Sequence, residues 1–209
     1  MTQRIAIVDY GAGNIGSIRH ALARLGYEAI TAHAPEEVLT ADRLILPGVG
    51  SAKRALGGLR ERWLDQALDE AVRRRGRPML GICVGMQVLA ETLYEFGEHR
   101  GLGWIAGSVV DIHSLSTARR VPHMGWSAVS VGEGGRELFE DVRGDRQFYF
   151  CHSFAFAPTE PASVVATVDY GGPLTAAVRT GTAWAVQFHP EKSQLAGEAL
   201  LNSFLEWTP

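Results

Sequence analysis

The apolar positions of this chain fall into two textures. In the N-terminal half, short β-branched runs alternate with stretches whose apolar residues recur at helical spacing: RIAIVD (4–9), residues 15–25, EAIT (28–31) and RLILP (43–47). Apolar runs bounded by turn residues predict strands, and apolar residues at i, i+3 and i+4 predict helices. A further helix is predicted where Trp63, Leu64, Ala67, Leu68, Ala71 and Val72 recur, followed by a buried-type strand, PMLGI (78–82). Such strand–helix–strand alternation predicts a parallel sheet. After Gly103 the texture changes to short segments punctuated by Gly and Pro: SVVDI (108–112), SAVSV (127–131), QFYFC (147–151), SVVATVD (163–169) and LTAAVR (174–179). These predict antiparallel strands. AVQFHP (185–190) and an amphipathic helix over about 194–207 close the chain. With no linker, repeat or low-complexity tract, residues 1–209 read as one α/β domain.

Composition changes this picture little. The 209 residues are 46% hydrophobic and 21% charged, near the average for globular proteins, which argues against disorder and coiled coil. A net charge of -3 supplies no basic face for a phosphate backbone, so nucleic acid is not an expected partner. The one basic run, 73–77, falls at a predicted helix end, where cations suit the dipole. The first apolar run meets Asp9 too early for a signal peptide or membrane span. A cytoplasmic location is expected. Cys83 and Cys151, far apart and in no metal-like spacing, predict neither a disulfide nor a metal site. No cofactor is expected, and Cys151 reads as a buried strand residue.

Candidate chemistry centres on GICVGM (81–86), where Cys83 stands between a predicted strand and helix in a G-x-C-x-G frame. Flanking glycines suit a strained turn that lifts a nucleophile out of the sheet, and the helix start favours the thiolate. A thiol needs a base. FHPEK (188–192) offers His189, with Glu191 two residues on to fix the imidazole tautomer, as in Ser-His-acid sites. LPGVG (46–50) ends a strand with backbone N–H groups able to face an oxyanion. GAGNIG (11–16) matches the dinucleotide fingerprint, yet His33 stands where the ribose-binding acid is required. The match is set aside.

Taken together, GICVGMQ, QFHPEKS and PGVG resemble the class I, triad-type glutamine amidotransferases. Added to VPHMGW (121–126), FYFCHSF (148–154) and DYGAGN (9–14), they resemble most closely the glutaminase subunits of imidazole glycerol phosphate synthases. The resemblance implies a flavodoxin-like α/β fold with a central, mainly parallel sheet, helices on both sides and an antiparallel region in the C-terminal half. It implies Cys83 as nucleophile, His189 as base and Glu191 as its orienting partner. Gly48, Val49 and Gly50 would form the oxyanion strand. Gly50, Gln87, Glu95, Phe154 and the backbone around His152 and Ser153 would hold glutamine, with Glu95 facing the α-ammonium. The implied partner is a (β/α)8-barrel cyclase, which receives ammonia and makes imidazole glycerol phosphate and aminoimidazole carboxamide ribonucleotide. Asn14, Trp126, Tyr149 and Lys192 would sit in rim loops at the docking face.

The chain departs from the family pattern at Ser51-Ala52, where Ala-Phe is usual, at Ser127, where Asn is common, and at Phe154, where Tyr is frequent. A glutaminase subunit of another synthase, such as one in surface-sugar assembly, and a non-catalytic scaffold for the barrel are the alternatives.

Overall fold

The computed structural model describes residues 3–209. In chain order the elements are β1 (Ile5–Val8), α1 (Ile15–Arg24), β2 (Ala29–Ala32), α2 (Pro35–Leu39), β3 (Arg43–Leu46), α3 (Ala52–Glu61), α4 (Leu64–Leu68), β4 (Met79–Ile82) and α5 (Val84–Gln87). There follow β5 (Ala90–Leu93), β6 (His99–Arg100), β7 (Ile105–Asp111), β8 (His123–Val131), β9 (Gln147–His152), β10 (Phe154–Pro158), β11 (Val164–Asp169), β12 (Pro173–Thr180), β13 (Ala183–Val186) and α6 (Gln194–Glu206).

Nine strands make one sheet in the order β2-β1-β3-β4-β13-β12-β11-β8-β9. From β2 to β13 every pairing is parallel, and from β13 to β9 every pairing is antiparallel. The expected parallel and antiparallel regions are therefore halves of a single sheet. β1, β3, β4 and β13 are buried at every residue, as strands covered on both faces must be; the one charged residue among them, Arg43, donates to the carbonyls of Phe204 and Trp207. α1 packs on α6, and α2, α3 and α4 pack together. A second sheet, β10-β7-β5-β6, departs from the antiparallel expectation in one place: β5 and β7 run parallel.

Two other expectations are corrected. Trp63 does not lie on a buried helix face; it is left-handed, with φ 58°, and 63% exposed. It marks the corner between α3 and α4, after which Asp69–Arg74 widen into a π-helical turn. Leu64, Ala67, Leu68, Ala71 and Val72 are buried as expected. Trp126 and Tyr149 are not in loops either: they face each other across β8 and β9, because PHMGW extends the predicted strand backward by four residues.

The register of the central strands sets up the site. Val186 of β13 pairs with Ile82 of β4, so the two parallel strands end level. Cys83 follows at once, its N–H donating to Val186 O at 2.8 Å. Three residues beyond Val186 comes His189. Its N–H donates to Tyr149 O of β9, at 2.9 Å, while Tyr149 N–H donates to Ser193 Oγ, also at 2.9 Å. The 189–193 turn is thus fastened to the last strand of the sheet.

Candidate active site

Cys83 occupies φ 55°, ψ -108°, the mirror image of an ordinary extended conformation and one that costs a side-chain-bearing residue about 1–3 kcal/mol. The flanking glycines serve a different end from the one their spacing suggests. Neither has positive φ; a Cβ on Gly85 would lie 1.9 Å from Leu46 O, and one on Gly81 would lie 2.7 Å from Gly85 O. The glycines let strand, turn and α5 close-pack, and the strain falls on the cysteine itself.

His189 and Glu191 approach from β13. Their side chains are almost wholly buried, and Nδ1 of the imidazole stands 2.9 Å from Glu191 Oε1. Burial alone would depress the imidazole, but hydrogen bonds and charge from Cys83 and Glu191 override it and raise His189 to about 10. At neutral pH the ring is an imidazolium. Glu191 Oε1 also accepts from Asn14 Nδ2 at 3.4 Å. Asn14, half-buried in the turn before α1, is thereby tied to the carboxylate. The GAGNIG turn that places it packs Gly13 on Pro47, and His33 stands 3.3 Å from Asp9.

One cavity is lined by Cys83 and His189 and also by Val49, Gly50, Gln87, Glu95, His152, Ser153 and Phe154. Every residue expected to hold glutamine is brought together there. Three of them are more constrained than their identity suggests. Gln87 donates from Nε2 to Phe154 O, at 2.9 Å, and to Gln187 Oε1, at 3.1 Å, which leaves its own Oε1 for a ligand. His152 hydrogen-bonds through both ring nitrogens, to Phe154 O and His123, so it can offer a ligand only its backbone. Phe154 O accepts from both Gln87 and His152, filling its two lone pairs.

Gly48 does not line the cavity. It packs under the elbow, where a Cβ would meet Val84, Gly85 and Tyr10 Oη within 3 Å. Tyr10 Oη donates to Pro47 O at 2.8 Å and anchors the loop; burial, with the negative charge of Cys83 and Asp9, raises this phenol and keeps it protonated. Among the described residues the N–H groups of Val49 and Gly50 have no hydrogen-bond partner.

Four lining residues were not foreseen at the site: Val84, Phe96, Pro122 and Cys151. Val84, first residue of α5, has an N–H without an intrahelical acceptor; the elbow motif itself is the signal for it. Cys151 lines the cavity and is only half-buried, against the expectation of a buried strand residue, because the face of β9 it shares with Tyr149 is open. Phe96 is 83% exposed and lines the cavity from the loop after β5. Outside the cavity Trp126 and Tyr149 meet edge to face at 6.2 Å, and Lys192, which lines the cavity, places its Nζ 6.0 Å from the Tyr149 ring.

The family model for glutamine amidotransferase class-I matches residues 6–207. The chain belongs to that family. Among curated relatives, the imidazole glycerol phosphate synthase subunit HisH of Rhodospirillum rubrum is 43% identical, with 99% of this chain and 100% of that protein covered. The protein of the same name from Ruegeria pomeroyi is 44% identical over 98% of this chain and 99% of its own length. Solved structures agree on the fold: a glutamine amidotransferase matches with a TM-score of 0.74 at 24% identity, over 96% of this chain and 97% of that one. PurLQS from Thermotoga maritima matches with a TM-score of 0.70 at 21% identity, covering 98% of each. In this amidotransferase no described helix is long and apolar enough to cross a membrane.

Proposed function

We propose that the chain hydrolyses glutamine to glutamate and ammonia, with Cys83 as nucleophile, as the glutaminase subunit of an imidazole glycerol phosphate synthase in histidine biosynthesis. The carrying observation is the strained Cys83 at the end of β4, lining one cavity with His189, whose Nδ1 stands 2.9 Å from Glu191 Oε1. Family membership and the names of relatives matched over their full length support the reaction and the pathway.

Cys83 gives its proton to His189, and Glu191, 2.9 Å from the ring, holds the imidazolium that results. The Cys83 sulfur attacks the carboxamide carbon of glutamine, and the oxygen takes up negative charge facing the N–H groups of Val84 and of the Val49–Gly50 segment. Collapse breaks the C–N bond as His189 gives its proton to the leaving nitrogen, releasing ammonia and leaving a glutamyl thioester. Once the sulfur is acylated, the negative charge that raised His189 is gone. The neutral ring then takes a proton from water, whose oxygen attacks the thioester, and glutamate departs as the Cys83 thiolate re-forms. Glu95 receives the substrate ammonium, Gln87 Oε1 and the backbone of His152 and Ser153 receive its polar groups, and no cofactor is required.

Residues 1–209 act as one domain, and the ammonia passes to a (β/α)8-barrel cyclase in the cytoplasm. Trp126, Tyr149 and Lys192, a connected aromatic and cationic patch beside the cavity, form the docking face, since exposed aromatics dominate such interfaces. The test is glutamate release by the purified chain, alone and with a cyclase carrying its phosphoribulosyl ligand, with Cys83→Ala as control. Activity that appears with the loaded partner and vanishes in the control is the expected result. Activity indifferent to the partner reassigns the synthase, and none under any condition overturns the enzyme.

A further inference from the structure

A hydrogen-bonded chain crosses the core behind the cavity. Gln187, with no exposed surface, donates from Nε2 to Cys83 Sγ at 3.6 Å. Its Oε1 accepts from Gln87 Nε2, whose other proton goes to Phe154 O. That carbonyl also meets His152 Nδ1 at 2.9 Å; His152 Nε2 is 3.1 Å from His123 Nδ1, and His123 Nε2 is 2.8 Å from Ser127 Oγ. Gln87, Gln187, His123 and His152 are all buried.

We propose that this chain is the positioning device for the nucleophile, with Gln187 fixing the Cys83 sulfur and the far end anchored at Ser127 on the strand that carries Trp126. The proposal rests on Cys83 being the glutaminase nucleophile.

Each link has one direction. Phe154 O can only accept, so His152 carries its proton on Nδ1 and must accept at Nε2. His123 therefore donates from Nδ1 and accepts the Ser127 hydroxyl at Nε2. On the other side Gln87 can only donate through Nε2, so Gln187 must present its oxygen there and its NH2 to the sulfur. The reversed Gln187 amide would set oxygen against thiolate and NH2 against NH2. A protonated His152 would likewise set its N–H against the His123 N–H, whereas a protonated His123 would only reverse its bond with the Ser127 hydroxyl, which accepts as well as donates. The groups facing this pair keep it neutral. His123 lies between the Phe150 and Tyr170 rings, and His152 faces His123 with the charge of His189 beyond.

A buried amide unpaired in an apolar core costs about 1–3 kcal/mol. An apolar residue of similar length would pack at 187 without that liability. The amide has a use because the thiolate needs a donor on the side away from His189, so that the sulfur points to the substrate and not into the core.

The test is the pH profile of Cys83 alkylation by iodoacetamide in the full chain without glutamine, the modified cysteine located by mass spectrometry so that Cys151 is counted separately. Gln187→Met should slow alkylation at neutral pH about tenfold and move the inflection up by about one pH unit. His123→Phe, which keeps the ring stack, should act in the same sense by about threefold. The double variant should be no slower than Gln187→Met alone, since members of one network do not add. A wild-type profile for Gln187→Met, or single effects that multiply in the double, overturns the proposal. Should Gln187→Met not fold, Gln187→Asn withdraws the amide from the sulfur and is read in the same way. Wild-type Cys83 reacting no faster than a free thiol removes instead the nucleophile reading beneath it.

Discussion

Glu95 Oε2 accepts the backbone N–H of Ala52, the first residue of α3, at 2.7 Å. The carboxylate that lines the cavity thus also caps the helix that follows the Val49–Gly50 segment. Replacing it affects both. Glu95→Gln should raise the KM for glutamine roughly ten- to hundredfold, the equivalent of about 1.5–3 kcal/mol for a hydrogen bond to a charged group, with a smaller loss in kcat. Steady-state glutaminase kinetics check this, and an unchanged KM would separate Glu95 from the substrate.

Glu191→Gln should lower kcat about 10²–10⁴-fold with little change in KM, because an amide cannot hold the imidazolium and disturbs its tautomer. Asn14→Ala should act in the same direction and far more weakly, since its 3.4 Å contact only steadies the carboxylate. The ordering of the two variants is the check; a larger loss for Asn14→Ala would contradict it.

Cys83→Gly should melt above Cys83→Ala, by about 1–3 kcal/mol of stability, while both are inactive. Alanine inherits φ 55°, ψ -108°, whereas glycine occupies that region freely. Equal melting temperatures would show that the turn relaxes in the variants.

Acid should unfold the protein through two histidines. His123 and His152 are each held at about 4, in both cases chiefly by burial, below their unfolded value near 6.5. Their contribution is complete above pH 6.5 and is lost as pH falls to 4, at up to about 1.4 kcal/mol per pH unit for each ring. His189 runs the other way: its contribution is complete below pH 6.5 and is lost as pH rises toward 10. Denaturant midpoints measured from pH 4 to 10 should form a dome, and His123→Phe should flatten its acid side.

Trp126→Ala should weaken binding of the barrel partner at least tenfold and leave the melting temperature of the isolated chain almost unchanged, since the indole is 46% exposed. Full affinity with a destabilised chain would place Trp126 in the packing and not in the docking face.

The central strands were legible because a parallel strand buried on both faces is apolar almost throughout: IAIV and MLGI entirely, RLIL after Arg43. Cys83, His189 and Glu191 were legible for a related reason: turns that follow such strands carry fixed residue types at fixed spacing. What escaped lay in features without periodicity. α3 buries Ala52, Ala55, Leu56 and Leu59, a helical stripe diluted by small residues and two glycines. Trp63 broke a helical pattern that it appeared to join. The tie of Asn14 to Glu191, the chain through Gln187 and the open side of Cys151 depend on partners far away in sequence, and no local pattern encodes those.

The turn that delivers His189 also grips Tyr149 on β9, a terminal strand of the larger sheet, through His189 N–H and Ser193 Oγ. A bare sheet edge invites another chain to add a strand. Here the catalytic segment doubles as a guard on that edge, so a lesion such as Ser193→Ala would endanger solubility as well as turnover, and its first symptom could be self-association.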